Sequence, residues 1–189
     1  MINVTPIPSS YTDNKNPYIK NLYNSINASD ILISSHFRWE KFWSIDILHI
    51  HWPELFLNKS NPIKMIGKLF ILVSQIFLIK ISGGKLLWTV HNVKPHEGKW
   101  PLLTKLFLSG FPRICDGMIF LSETTKFEAS TSLSTLSKTC TVIPHGPYDC
   151  DLLSKETKQQ IRRRLNVAED GVVFCFFGMI RRYKNVPAL

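Results

Sequence analysis

The sequence predicts an α/β fold, a parallel sheet with helices on both of its faces. Three observations predict it. Short apolar runs such as IDILHIHW (45–52), KLLWTVHN (85–92) and GMIFL (117–121) read as strands buried on both sides. Longer segments between them, above all 63–81, have the length and punctuation of helices. The two kinds alternate along the chain, which is the pattern of strand–helix–strand units.

The elements follow in order. Asn16-Pro17 offers a helix cap and a proline at the first helical position, after which Tyr18, Leu22 and Ile26 recur at helical spacing. Residues 31–33 are a short apolar strand, and 45–52 a second that ends in polar and aromatic residues. The helix over 63–81 closes at Ser82-Gly83-Gly84, a natural stop. Strand 85–92, helix 101–109 and strand 117–121 come next, then a helix over 122–136 with Ser122 as its cap, and a strand over 140–143. A turn-rich stretch, PHGPYDCD (144–151), breaks the rhythm. Beyond it, 155–165 (KETKQQIRRRL) reads as a basic helix, 172–177 (VVFCFF) as a new buried strand ending at Gly178, and 179–189 as a loop and helix start. The expected organisation is therefore one sheet domain over 1–150, a linker helix over 151–170, and over 171–189 the first strand–helix element of a second, truncated domain.

Composition fits a globular chain: of 189 residues, 44% are hydrophobic and 20% charged, enough to bury a core. The net charge of +9 is unevenly placed. Between residues 55 and 105 there are eight lysines (Lys59, Lys64, Lys68, Lys80, Lys85, Lys94, Lys99, Lys105) against one acid, Glu97. Such a surface favours an anionic partner: nucleic acid, a phospholipid face or a phosphorylated substrate. Four scattered cysteines, with no CxxC pair and no ligand-spaced histidine, point to a reducing compartment and away from a zinc site or a disulfide framework. The first ten residues hold two prolines and no basic segment, so no secretory leader is expected. In 63–81 the longest uncharged run is 11 residues, short of the roughly 20 that span a bilayer. It reads as a helix either largely buried or lying on a membrane surface with its lysines near the headgroups.

In parallel α/β sheets, function gathers at the carboxyl ends of the strands. Five of the six histidines lie at three such ends: His49 and His51 before Trp52-Pro53-Glu54, His91-Asn92 with His96-Glu97, and His145-Gly146. From the residues alone each histidine could instead hydrogen-bond a nearby loop, and Trp52 and Trp88 read as packing aromatics. His49-x-His51 points two rings to one face with no evident third metal ligand. No GxGxxG, GxxxxGK[ST] or GxSxG occurs, so dinucleotide oxidoreductases, P-loop NTPases and α/β hydrolases lose their usual signatures. Gly178 with the Arg and Lys that follow it forms a credible phosphate-facing loop.

Four segments carry a resemblance: HIHWPE (49–54), TVHNVKPHE (89–97), VIPHGPY (142–148) and FFGMIRRYKNVPAL (176–189), with NPYIKNLY (16–23) near the start. Their order and spacing resemble bacterial GT-B glycosyltransferases, of the family 4 type and of the kind that builds xanthan-like exopolysaccharide or lipopolysaccharide glycolipids. The resemblance covers essentially the whole chain. It implies two Rossmann-like domains facing a cleft, the first receiving an acceptor and the second holding a nucleotide-diphosphate sugar. His91 matches a strand-end histidine beside the donor sugar. Lys184 with Arg182, or its neighbour Arg181, matches the basic pair that neutralises the donor diphosphate, and Gly178 allows that loop to approach it. His49, His51, Trp52, Asn92, His96, His145 and Gly146 would line the acceptor side. Glu54, Glu97 and Glu123 are candidates for the base that an inverting enzyme needs. Cations fixed where charge develops on a departing diphosphate lower the barrier, each by about 3 kcal/mol. No cofactor or metal is expected beyond the nucleotide sugar.

The resemblance thus implies a hexosyl transfer to a lipid-linked saccharide by a peripheral protein on the cytoplasmic face of the membrane, the basic stretch meeting anionic lipid. Most of the donor domain falls outside the matched motifs, so the chain alone is expected to be inactive. Two other readings stand beside it: a non-enzymatic basic α/β domain binding nucleic acid or membrane, and another GT-B enzyme such as a sugar-nucleotide epimerase. Against nucleic acid, the lysines are not interleaved with exposed aromatics and no nucleic-acid module is evident.

Overall fold

The computed structural model describes residues 1–9, 17–26, 28–58, 60–93, 100–132, 139–146, 156–178, 180 and 184–186. The chain divides into two compact units, Met1–Gly146 and Pro147–Leu189.

The first unit is a six-stranded, all-parallel sheet with helices on both faces, the α/β, Rossmann-like architecture expected from the sequence. Its strands are β1 (Ile2–Ile7), β2 (Ile31–Ile33), β3 (Ile47–Ile50), β4 (Lys85–Val90), β5 (Gly117–Phe120) and β6 (Thr139–Val142). They lie in the order β2-β1-β3-β4-β5-β6. Between them run helices α1 (Pro17–Asn24), α2 (Pro62–Ile81), α3 (Pro101–Ile114) and α4 (Glu123–Ser132). This is a doubly wound order, and its direction reverses between β1 and β3.

Strand parity sorts the core. Leu48 and Ile50 of β3, Leu86, Trp88 and Val90 of β4, and Met118 and Phe120 of β5 pack with Leu72, Ile76 and Ile79 of α2, Leu108 and Phe111 of α3, and Ala129 of α4. On the opposite face, Val4 packs with Ile19 and Tyr23 of α1, joined at the margin by Tyr18, Leu22 and Ile47. Ile26, expected to continue the helical spacing of Tyr18 and Leu22, lies past the end of this helix and is exposed.

One central strand was not anticipated. β1 contains Pro6, a residue that removes a ladder donor. The even-numbered residues of β1 direct their backbone groups toward β2, as Val4 O does in accepting from Ser34 N–H at 2.9 Å. Paired residues of β2 reach only the level of Val4, so the missing N–H at Pro6 falls where the ladder has ended. The odd-numbered residues face β3, where Ile7 O accepts from His51 N–H at 2.9 Å.

α2 begins at Asn61, whose side chain accepts from the N–H groups of Ile63 (2.9 Å) and Lys64 (3.2 Å), with Pro62 at the first helical position. It ends where Gly83 takes φ +84°. At Gly84 a Cβ would lie 2.8 Å from the Ile45 carbonyl oxygen, so the backbones approach too closely for a side chain. By length and composition α2 could cross a membrane. Its Leu72 and Ile79 are fully buried against the sheet, however, which commits one face to the core. Lys80 leaves the helix surface to pair with Asp116, whose carboxylate also accepts from Leu86 N–H at 2.7 Å. Burial alone would raise the Asp116 pKa, but these two hydrogen bonds and the charges of Lys80 and Lys85 bring it below the usual carboxylate range. Ser122 caps α4 as expected, its Oγ accepting from Thr125 N–H at 3.1 Å.

In the second unit, α5 (Lys158–Arg164) starts at Thr157, whose hydroxyl accepts from Gln160 N–H while the Gln160 side chain accepts from Thr157 N–H. Its arginines make local contacts: Arg162 donates to the carbonyls of Ala168 and Gly171, Arg163 meets Glu169, and Arg164 meets Glu156. The buried strand expected over 172–177 does not form. Among the described residues no neighbouring strand pairs with it, and Val172, Phe174 and Phe177 are 82%, 92% and 96% exposed. An apolar run becomes a strand only where a ladder partner satisfies its backbone.

Candidate active site

β3 and β4 deliver a row of polar side chains to the α1 face of the sheet at its carboxyl edge. Parity places His49 and His51 on that face, and likewise Thr89 and His91. From the facing helix, Tyr23 lies one turn beyond the buried Ile19, so its ring enters the same layer.

The contacts form one chain. Thr89 Oγ1 lies 2.8 Å from His49 Nε2, His49 Nδ1 lies 2.6 Å from the Tyr23 hydroxyl, that hydroxyl lies 2.9 Å from His51 Nε2, and His51 Nδ1 lies 3.3 Å from His91 Nε2. Thr89, His49, His51 and Tyr23 are all at least 95% buried, whereas His91 is half-buried at the outer end. Each of these buried groups would cost about 1–3 kcal/mol if left unpaired.

Burial sets the protonation state here. It drives the His49 pKa down to about 3, with repulsion from His91 adding to the effect, and takes His51 lower still, helped by His49 and His91. His91 is held at about 4 by burial and then by His145. The Tyr23 phenol is pushed far above its ordinary value by burial and by Tyr18. At neutral pH the cluster is therefore an uncharged one.

Around His91 the aromatic rings close in. The Trp52 indole stacks on it with centroids 4.2 Å apart, and Tyr18 meets it edge-on at 4.9 Å. Tyr18 also touches His145 edge-on at 4.8 Å, and His145 lies 6.3 Å from His91. Strand ends β3, β4 and β6 and helix α1 thus converge on one half-open wall. Stacked aromatic faces with hydrogen-bonding rims suit a polyhydroxylated ligand.

Of the residues singled out from sequence, this wall unites His49, His51, Trp52, His91 and His145. Asn92 is half-buried next to His91, and Gly146 is exposed beyond His145. Glu54 stands in a single helical turn (Pro53–Phe56) after β3, and burial lifts its pKa to about 7 against the opposing pull of its backbone hydrogen bond. Glu123 is exposed at the start of α4. His96, Glu97, Arg181 and Arg182 lie outside the described residues. In the second unit, Gly178 takes φ +119°, and a Cβ there would meet Lys184 Nζ at 3.3 Å. The same ammonium group lies 5.4 Å from the Phe176 ring centre. Among the described residues, no group of three or more His, Cys, Asp or Glu converges as metal ligands would.

Sequence reading did not single out Tyr18, Tyr23 and Thr89 as site residues. The signal was present in part: Thr89 shares parity with His91. The tyrosines could be placed only once β1 was recognised, because a helix that follows β1 starts at the carboxyl edge of the sheet.

Comparison with known proteins adds a relative. Over 177 residues, 93% of this chain, the sequence is 25% identical to a GDP-mannose:glycolipid 4-beta-D-mannosyltransferase of Xanthomonas campestris pv. campestris. A second protein of that description, from a named strain of the same pathovar, matches to the same extent. The chain spans 45% of the length of these relatives. No family model matches. No solved structure matches either. The chain is thus a distant homologue of a glycolipid mannosyltransferase, and its all-parallel sheet agrees with a GT-B-like fold.

Proposed function

We propose that this distant homologue of a glycolipid mannosyltransferase carries the acceptor side of a glycosyltransferase, which moves a hexose from a nucleotide-diphosphate sugar to a lipid-linked saccharide in surface or exopolysaccharide synthesis. One observation carries the reading: the stacked pair His91–Trp52, flanked by Tyr18 and His145, stands at the carboxyl edge of a doubly wound sheet beside its switch point. The name of the relatives makes GDP-mannose the first donor to test. In this reading Glu54, with a pKa near 7, is the base that accepts the proton of the acceptor hydroxyl at neutral pH. The donor diphosphate is assigned to the second unit, to Gly178, Lys184 and the adjoining Arg181 and Arg182, whose cations meet the charge that develops on the leaving group.

A peripheral position on the cytoplasmic membrane face belongs to the same proposal. Ile63, Ile66, Phe70, Val73 and Phe77 recur along α2 at helical spacing and are all exposed, and Lys64 and Lys68 are exposed in the first two turns of the same helix. An exposed apolar ridge on a helix that also carries exposed lysines suits the boundary between headgroups and acyl chains of anionic lipid.

The test is co-sedimentation with anionic vesicles that do or do not display a lipid-linked oligosaccharide. The expected result is tighter binding to the saccharide-bearing vesicles, an advantage that His91→Ala abolishes while leaving the affinity for plain vesicles unchanged. Equal binding to both kinds of vesicle by the unmodified protein would sink the acceptor reading.

A further inference from the structure

The chain of contacts from Thr89 to His91 has a direction. A neutral imidazole donates from one ring nitrogen and accepts at the other, and a hydroxyl has one proton to give. Once any link is assigned, every link follows, given that the buried Tyr23 hydroxyl must spend its own proton within the chain. If Thr89 donates to His49 Nε2, then His49 Nδ1–H donates to the Tyr23 oxygen, Tyr23 O–H donates to His51 Nε2, and His51 Nδ1–H donates to His91 Nε2. The opposite order would have His49 Nε2–H donate to Thr89. The Thr89 hydroxyl proton would then need another acceptor, and Thr89 is 1% exposed with none among the described residues. A buried hydroxyl proton without an acceptor is the costlier arrangement. In the first order the only unspent proton of the chain is on His91, the member that is half-open to its surroundings.

We propose that Thr89, His49, Tyr23 and His51 form a one-way hydrogen-bond relay that holds His91 as its Nδ1–H tautomer, with Tyr23 the positioning residue at the centre. The lone pair at His91 Nε2 is occupied by His51, and Nδ1 presents an N–H. His91 is therefore a fixed hydrogen-bond donor and not a base. On the transferase reading above, on which this last step rests, its partner is an oxygen of the substrate: a sugar hydroxyl or a phosphate oxygen. The relay itself does not depend on that reading. Tyr23 cannot be replaced in it by an apolar ring, because its hydroxyl is the one group that accepts from one histidine and donates to the next.

The experiment is a long-range proton–nitrogen correlation on the full chain labelled with [15N]histidine, at pH 7.5, where the three imidazoles are neutral. Expected are three rings, His49, His51 and His91, each with a protonated Nδ1 and an unprotonated Nε2. Free histidine in water favours the reverse tautomer, so this pattern would not arise by default. In Tyr23→Phe the relay is cut, and His91 is expected to shift to a mixture in which Nε2–H is prominent. An Nε2–H form of His91 in the unmodified protein would overturn the proposal, as would an unchanged His91 spectrum in a folded Tyr23→Phe protein. Should that variant fail to fold, the spectrum of the unmodified protein still decides. Failure here with saccharide-dependent vesicle binding intact would remove the relay and leave the acceptor site standing.

Discussion

Acidification from pH 7 to pH 5 tests whether the histidine cluster is buried and neutral. In the unfolded chain a histidine titrates near 6.5, whereas in the folded protein His49 titrates at about 3 and His51 lower. Both folded values are depressed, so below pH 6.5 the unfolded state takes up protons that the folded state refuses, and stability is lost as pH falls. At pH 5 each unfolded histidine is almost fully charged and each folded one is not, which costs about 2 kcal/mol apiece, or about 4 kcal/mol for the pair. His91, half-open, pushes the same way by less. Glu54 acts in the opposite sense. Its folded pKa of about 7 exceeds the unfolded value, so it contributes stability in acid that is lost as pH rises through 7, returning at most about 2 kcal/mol at pH 5. A net loss of at least about 2 kcal/mol is expected, a large part of the 5–15 kcal/mol that holds a typical domain together. Urea unfolding of the chain at pH 7, 6 and 5, followed by circular dichroism, measures it. Glu54→Gln should deepen the acid loss, and His49→Gln with His51→Gln should nearly abolish it. Unchanged stability in the unmodified protein between pH 7 and 5, together with a histidine double variant of the same pH dependence, would refute the reasoning.

Three further outcomes are expected. Leu72→Ala, at a fully buried α2 position facing the sheet, should cost about 2–5 kcal/mol and lower Tm by roughly 5–15 °C in a thermal melt. Gly84→Ala should destabilise by about 1–3 kcal/mol in the same melt, because its Cβ meets the Ile45 carbonyl, whereas Gly67→Ala, with open space around it, should be neutral or slightly stabilising. Phe70→Ser with Phe77→Ser should leave Tm within about 2 °C, since both rings are exposed, yet weaken binding to anionic vesicles at least tenfold; unchanged binding would exclude the α2 ridge as the lipid contact.

Much of the fold was legible in local signals. Asn61-Pro62 and Gly83-Gly84 bracket α2, and the alternation of apolar runs with helical segments called the parallel sheet. β1 was not legible, because Pro6 and Pro8 argue against a strand and only its place beside the short β2 makes Pro6 harmless. The run over 172–177 failed for the converse reason: its β-propensity was real, but propensity supplies no ladder partner. The site divides in the same way. The histidines of 49–54, 89–97 and 142–148 were visible as polar residues at strand ends. The tyrosines that connect them were not, since α1 meets β3 and β4 only through chain reversal across the sheet.

By itself, the sequence determined which side chains alternate to one face of each strand, and so that His49 shares a face with His51 and Thr89 with His91, because strand parity is a local property of the backbone. The tertiary structure alone decided which of those neighbours touch, that Tyr23 lies between two imidazoles, and that burial keeps them all uncharged. Hydrogen-bond partners and desolvation depend on what packs against a residue, and that is supplied by segments 26 to 40 positions away in the chain.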